Sequence, residues 1–169
     1  MSEFTFPELI PLPSVDALQT GFFLCVLHAD KIPPHVACIV DGRFFSLKVN
    51  GKDESIDVSS LLKALSLKKV PTLFVRVNKI ITCSEVVRCY ENYSAIEVGK
   101  NTCLSPVIDL FECGDRVKKL SDLLRLLQQE SLLKEVFKLH LKEDYTALPD
   151  YSNQDIDQRL LNLTDVKRR

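Results

Sequence analysis

Apolar and polar positions along this chain change period several times, and each change marks an element. Gly21 precedes Phe22-Phe23-Leu24-Cys25-Val26-Leu27-His28, a short run rich in aromatic and branched side chains that predicts a buried strand over 22–28. Pro33-Pro34 ends the connection after it. Two further apolar runs, 36–40 and 43–49, flank Asp41-Gly42, the preferred sequence for a two-residue type I′ hairpin turn. That turn sets the register: Ile39 faces Phe44, Ala37 faces Ser46 and His35 faces Lys48. Alternation then puts Val36, Cys38, Val40, Phe45, Leu47 and Val49 on one apolar face. The opposite face carries Ala37, Ile39 and Phe44 near the turn and His35, Ser46 and Lys48 at the open end, which makes the open end a candidate site.

Beyond Asn50-Gly51, Asp57 or Ser59 caps a predicted helix carrying Leu61, Leu62 and Leu65 up to Leu67, and Pro71 stops that segment. Residues 72–77 read as another strand. Thr82-Cys83-Ser84-Glu85 fits a capping box opening a helix in which Val86, Cys89 or Tyr90, Tyr93 and Ile96 or Glu97 recur, with Gly99 closing it. A short helix follows Asn101-Thr102-Cys103 and ends by Gly114. Residues 120–141 space leucines and valines at three- and four-residue steps without a breaker, which predicts the longest helix. Past Pro149, Ile156, Leu160 and Leu163 predict a short amphipathic helix.

These elements describe an α+β fold, a small antiparallel sheet packed by helices. Pro7, Pro11 and Pro13 make residues 1–14 an extended N-terminal arm, pinned to the surface by Phe4, Phe6, Leu9 and Ile10. Residues 15–148 form the domain and 149–169 a helical tail. At 169 residues and 46% hydrophobic, the chain has room for one well-filled core.

Charge narrows the partners. The 22 Lys and Arg nearly cancel the 23 Asp and Glu, so no overall field selects nucleic acid or a membrane surface, and the basic run 167–169 reads as a solvated tail. The N-terminus carries no signal-peptide pattern and no apolar run reaches transmembrane length, so a soluble, cytoplasmic protein is expected. Its six cysteines are then expected as reduced thiols. There is no P-loop, no dinucleotide glycine fingerprint, no His-Glu-x-x-His helix, no internal repeat and no low-complexity tract.

The remaining chemistry gathers on two residues. A thiol becomes a useful nucleophile when its pKa falls, and both a helix N-terminus and an imidazole favour the thiolate. Pro106 is tolerated only in a first turn, so the helix opens near Thr102. With Cys103 as the cap the dipole acts on its sulfur; with Ser105 as the cap Cys103 lies just outside. His35, at the start of its strand, is the candidate base. Cys25-x-x-His28 followed by His35-x-x-Cys38 also has the spacing of a zinc set, which requires both halves to be turns; no metal or other cofactor is expected. Cys83, Cys89 and Cys113 read as packing residues, and His140 as a structural cation at the end of the long helix. Surplus apolar positions on that helix leave a homodimer open.

In order along the chain, Leu18-Gln19-Thr20-Gly21-Phe22, His35-Val36-Ala37-Cys38-Ile39-Val40-Asp41-Gly42 and Asn101-Thr102-Cys103 resemble three motifs of the circularly permuted papain-like hydrolases. This is the NlpC-type branch that includes lecithin:retinol acyltransferase-like enzymes. The resemblance spans about residues 16–113 and leaves the C-terminal helices outside it. It implies a permuted papain-like architecture in which Cys103 is the nucleophile, His35 the base and Ser46 the orienting third group. The substrate would be a small-molecule, peptide or lipid acyl amide or ester, cleaved through an acyl-enzyme. Asn101 and Thr102 beside the nucleophile and Lys48 opposite the base would contact it. The chain departs from the pattern at Phe22, where the family has an acid, and at Ala37, where glycine is common. Ser46 replaces a stronger orienting group, and a cation at Lys48 opposes an imidazolium while favouring a thiolate or an anionic substrate. A catalytically silent relative that binds a ligand or protein in the same cleft is the alternative.

Overall fold

The computed structural model describes residues 3–168, with side chains through Thr164. The fold is α+β. Its strands are β1 (Phe4–Thr5), β2 (Ile10–Pro11), β3 (Phe22–Leu27), β4 (His35–Val40), β5 (Arg43–Lys48), β6 (Gly51–Asp57), β7 (Thr72–Val77), β8 (Leu133–Leu139) and β9 (Ala147–Leu148). The helices are α1 (Val58–Leu67), α2 (Cys83–Glu91), α3 (Ser105–Leu110), α4 (Leu120–Gln129) and α5 (Asn153–Arg168). Seven strands form one sheet in the order β2-β8-β7-β3-β4-β5-β6, antiparallel except for the parallel edge pair β2–β8, while β1 and β9 pair separately.

The hairpin at the centre forms as its turn chemistry demands. Asp41 and Gly42 both take positive φ (46° and 78°), the signature of a type I′ turn, and Val40↔Arg43, Ile39↔Phe44 and Cys38↔Phe45 pair in the expected register. β3 lies between β4 and β7 and is buried on both sides, so its side chains alternate into two cores. Phe22, Leu24 and Val26 join Val36, Cys38, Val40, Phe45 and Leu47 in a cluster with side chains from α2, α3 and α4. Phe23 and Cys25 join Ala37, Ile39, Phe44, Phe74 and Phe137 in a second cluster under α1. The sheet is thus sandwiched between helices, and each large side chain it buries contributes about 1.5–3 kcal/mol.

Local signals hold where chemistry is local. Asp57 Oδ1 accepts the Ser59 N–H at 2.8 Å and caps α1, and Thr82 and Glu85 close a reciprocal capping box on α2. Where periodicity had to decide alone, the structure differs. The helix expected over 120–141 is α4 followed by β8: Ser131 turns the chain with φ 59°, and the Leu132 N–H returns to the Leu127 carbonyl at 2.8 Å. Val136 and Phe137 then face opposite cores, because pairing with β7 satisfies this backbone and buries both side chains. His140 consequently lies in a turn, with φ 56°, and not at a helix end.

α2 stops at Glu91, short of the expected end, and Ile96 donates its N–H to the Lys48 carbonyl at 2.9 Å. The polar run after Asn50-Gly51 is strand β6. The N-terminal arm does more than pin itself to the surface: Phe4 and Phe6 are buried in the first core and Ile10 belongs to the edge strand. The tail is equally anchored, with Tyr151 and Leu160 in that core. No helix among the described residues is long and apolar enough to cross a membrane.

Candidate functional site

β4 begins at His35, held against β3 by the pair Leu27↔His35. In an antiparallel ladder the bonded positions alternate, so after Cys38↔Phe45 the Val36 N–H would next meet Leu47 of β5. The paired register ends at Cys38↔Phe45, and the Val36 N–H donates instead to Cys103 Sγ at 3.3 Å. The sulfur occupies the place of a ladder carbonyl, so the strands part there, next to the peptide that joins His35 to Val36.

Cys103 reaches this position through a tight turn. The Thr102 N–H donates to Ser105 Oγ at 2.9 Å, the Leu104 N–H to Thr102 Oγ1 at 3.2 Å and the Ser105 N–H to the Thr102 carbonyl at 3.1 Å. Leu104 is the N-cap of α3 and Pro106 lies in its first turn. Cys103 therefore sits just before the cap and outside the helix, and neither of the two alternatives for the cap, Cys103 or Ser105, holds.

The parted strands open into a cavity of about 430 Å³ that His35, Lys48, Thr102 and Cys103 all line. Ser46 is 1% exposed and lies beneath it, its Oγ 2.5 Å from His35 Nε2. With the ring proton on Nε2, the imidazole donates to Ser46 and leaves Nδ1 as a bare acceptor. Asn101 is not a lining residue. Its Oδ1 accepts the Glu97 N–H at 2.8 Å and its own N–H returns to the Glu97 carbonyl at 3.1 Å, so it closes the preceding turn. Lys48 is engaged by Asp53 at 3.0 Å.

Burial dominates the electrostatics. It pushes the Cys103 thiol up, opposed by the Val36 N–H and by the backbone N–H groups of Cys103 and Leu104. It pushes the His35 imidazole down to about 4; Asp53 opposes this, while His28, Lys48 and Arg159 add to it. At neutral pH the Cys103 thiol and the His35 imidazole, which line the same cavity, are both neutral.

Several residues in and around the cavity escaped sequence reasoning. Asp53 belongs to β6, across from Ser46 in register, on a strand too polar to be recognised by alternation. Lys118, Lys119, Tyr151 and Arg159 come from the distant C-terminal segments, and no local signal in the sequence marks them. The zinc spacing does not converge, because Cys25 and Cys38 lie in the cores on opposite faces of the sheet. All six cysteines are free.

No protein-family model, no curated protein and no solved structure matches this chain. The functional reading therefore rests on the geometry and on the chemistry of the residues that line the cavity.

Proposed function

We propose that this protein is a thiol hydrolase or acyltransferase that cleaves an amide or ester through an acyl-enzyme on Cys103. The observation that carries the reading is the hydrogen bond from Val36 to Cys103 Sγ, which holds the sulfur against the peptide bond of His35 in the wall of the shared cavity. In the acylation step His35 takes the thiol proton as sulfur bonds to the substrate carbonyl carbon. The imidazolium then returns that proton to the leaving amine or alcohol as its bond breaks. Water or a second acceptor, deprotonated by the same imidazole, releases the acyl group. Ser46 positions the ring, Thr102 and Lys48 contact the substrate, and the order of motifs along the chain supports a permuted papain-like architecture. Six free thiols suit a reducing compartment, so we place the activity in the cytoplasm.

Acylation by an activated aryl ester tests this. One equivalent of released phenolate with the acyl mass on Cys103, absent in Cys103→Ala, is the expected result. Label spread over several thiols at similar rates overturns it.

One observation favours a second reading. Burial holds both members of the pair neutral, which suits a silent module that binds a ligand in the cavity without reacting. That module would bind an ester and leave it intact, the outcome opposite to the burst.

A further inference from the structure

The cavity has a marked division of character. Its walls are apolar, supplied by Leu27, Val36, Leu104 and Ile96 from the domain and by Ile156 and Leu160 from α5. Every ionisable side chain on its lining other than a thiol or phenol is a cation or an imidazole, and neither Asp nor Glu is among them.

The cations differ in what they are free to do. Lys48 is held by Asp53 at 3.0 Å, and Lys119 by Asp150 at 2.7 Å and by the Tyr151 carbonyl at 3.0 Å. Lys118 and Arg159 have no ion-pair partner among the described residues. Both are exposed, at the rim of a cavity whose interior is greasy. Solvated cations beside an apolar hole complement one kind of molecule: a chain that fills the hole and an anion that stays at its mouth.

We propose that the cavity takes a medium-chain acyl amphiphile with an anionic head, the chain lying against α5 and the head meeting Lys118 and Arg159. This rests on the same cavity as the proposed activity and names its substrate class. The carbonyl of an acyl group bearing an anionic carrier would lie between chain and head, where Cys103 lines the wall. α5 supplies both characters at once, since Ile156, Arg159 and Leu160 are spaced three and four residues and one apart on it, so the helix presents apolar contact and charge to the same cavity.

The test is calorimetric titration of the full chain carrying Cys103→Ala, which cannot turn over, with octanoate, decanoate, dodecanoate, decyl sulfate and decyltrimethylammonium below their micellar concentrations. The anionic probes should bind one to one, tightening by roughly threefold to fourfold per added methylene, and the ammonium probe should not compete. Lys118→Gln with Arg159→Gln should weaken decanoate binding by roughly tenfold or more, with an unchanged melting temperature showing that the fold is intact. Decanoate and the same chain presented on phosphatidylglycerol vesicles identify whether a free acid or a lipid supplies the ligand, and binding to either supports the proposal. Equal binding of the ammonium probe, affinity independent of chain length, or unchanged affinity in the double variant overturns it. The aryl-ester burst reads out Cys103 separately: a burst without amphiphile binding overturns this substrate class and leaves the thiol chemistry standing. Amphiphile binding without a burst does the reverse.

Discussion

The backbone N–H of Val36 points at the sulfur of Cys103 from 3.3 Å, in the position where a regular ladder would offer it the carbonyl of Leu47. One hydrogen bond therefore both ends the pairing of two strands and brings residues 67 positions apart into one site. The neutral state of the thiol follows from the same burial that makes the contact.

This arrangement sets the order of mutational effects on acyl transfer. Cys103→Ala should abolish the burst. His35→Gln should slow acylation by roughly 10²–10⁴-fold, the range of a lost general base. Ser46→Ala should cost less than His35→Gln, because it frees the ring without removing it, and should act on kcat more than on KM. Burst and steady-state kinetics with the aryl ester measure all three, and an unaltered burst in His35→Gln removes His35 from the mechanism.

His35 also makes a signed prediction about acid stability. Its folded pKa is lowered from 6.5 to about 4, chiefly by burial, so between these values the unfolded chain binds a proton that the folded chain refuses. The contribution is intact above pH 6.5 and is lost as pH falls toward 4, by on the order of 3 kcal/mol. Denaturant unfolding across this window should show wild type losing stability more steeply than His35→Asn. Parallel slopes would place the imidazole in water.

Thiol reactivity follows burial too. Burial pushes Cys25, Cys38 and Cys103 up, so all three resist iodoacetamide at neutral pH in the ligand-free protein, and Cys103 reacts as pH rises past the ordinary thiol range. Cys103, only partly buried and open to the cavity, should react before Cys25 and Cys38, which are wholly buried in the sheet. Mass spectrometry of alkylated peptides against pH gives the order. Rapid labelling of Cys103 in mild acid would show a thiolate–imidazolium pair instead.

The break between α4 and β8 can be tested by one residue. Ser131 has φ 59°, a left-handed conformation that favours glycine, so Ser131→Gly should stabilise the protein by about 1 kcal/mol. Were 120–141 one helix, glycine in its interior would destabilise by a similar amount. The sign of the change in unfolding free energy separates the two folds.

Residues 131–132 also illustrate what a linear reading misses. Leucines and valines at three- and four-residue steps satisfy a helix, yet Leu133, Val136, Phe137 and Leu139 serve equally in a strand that is buried on both faces. The choice was made by β7, which offered a paired edge. β6 was hidden for the opposite reason: its side chains are too polar to mark a strand, and its backbone bonds to β5 define it.

What the amino-acid order determined by itself was everything that depends on near neighbours. Asp41-Gly42 fixed a hairpin and its first pairs, Thr82 with Glu85 fixed one helix start, and Asp57 or Ser59 and Pro106 bounded two more to within a few residues, because each is a bond or steric restriction among near neighbours. Only the tertiary structure decided that the ladder stops at Cys38, that Asp53 stands behind His35 and that Lys118 and Arg159 border the cavity. Those relations join segments that meet only when the sheet is assembled and the C-terminal segments close on the same core and cavity, and burial then sets the proton on each group.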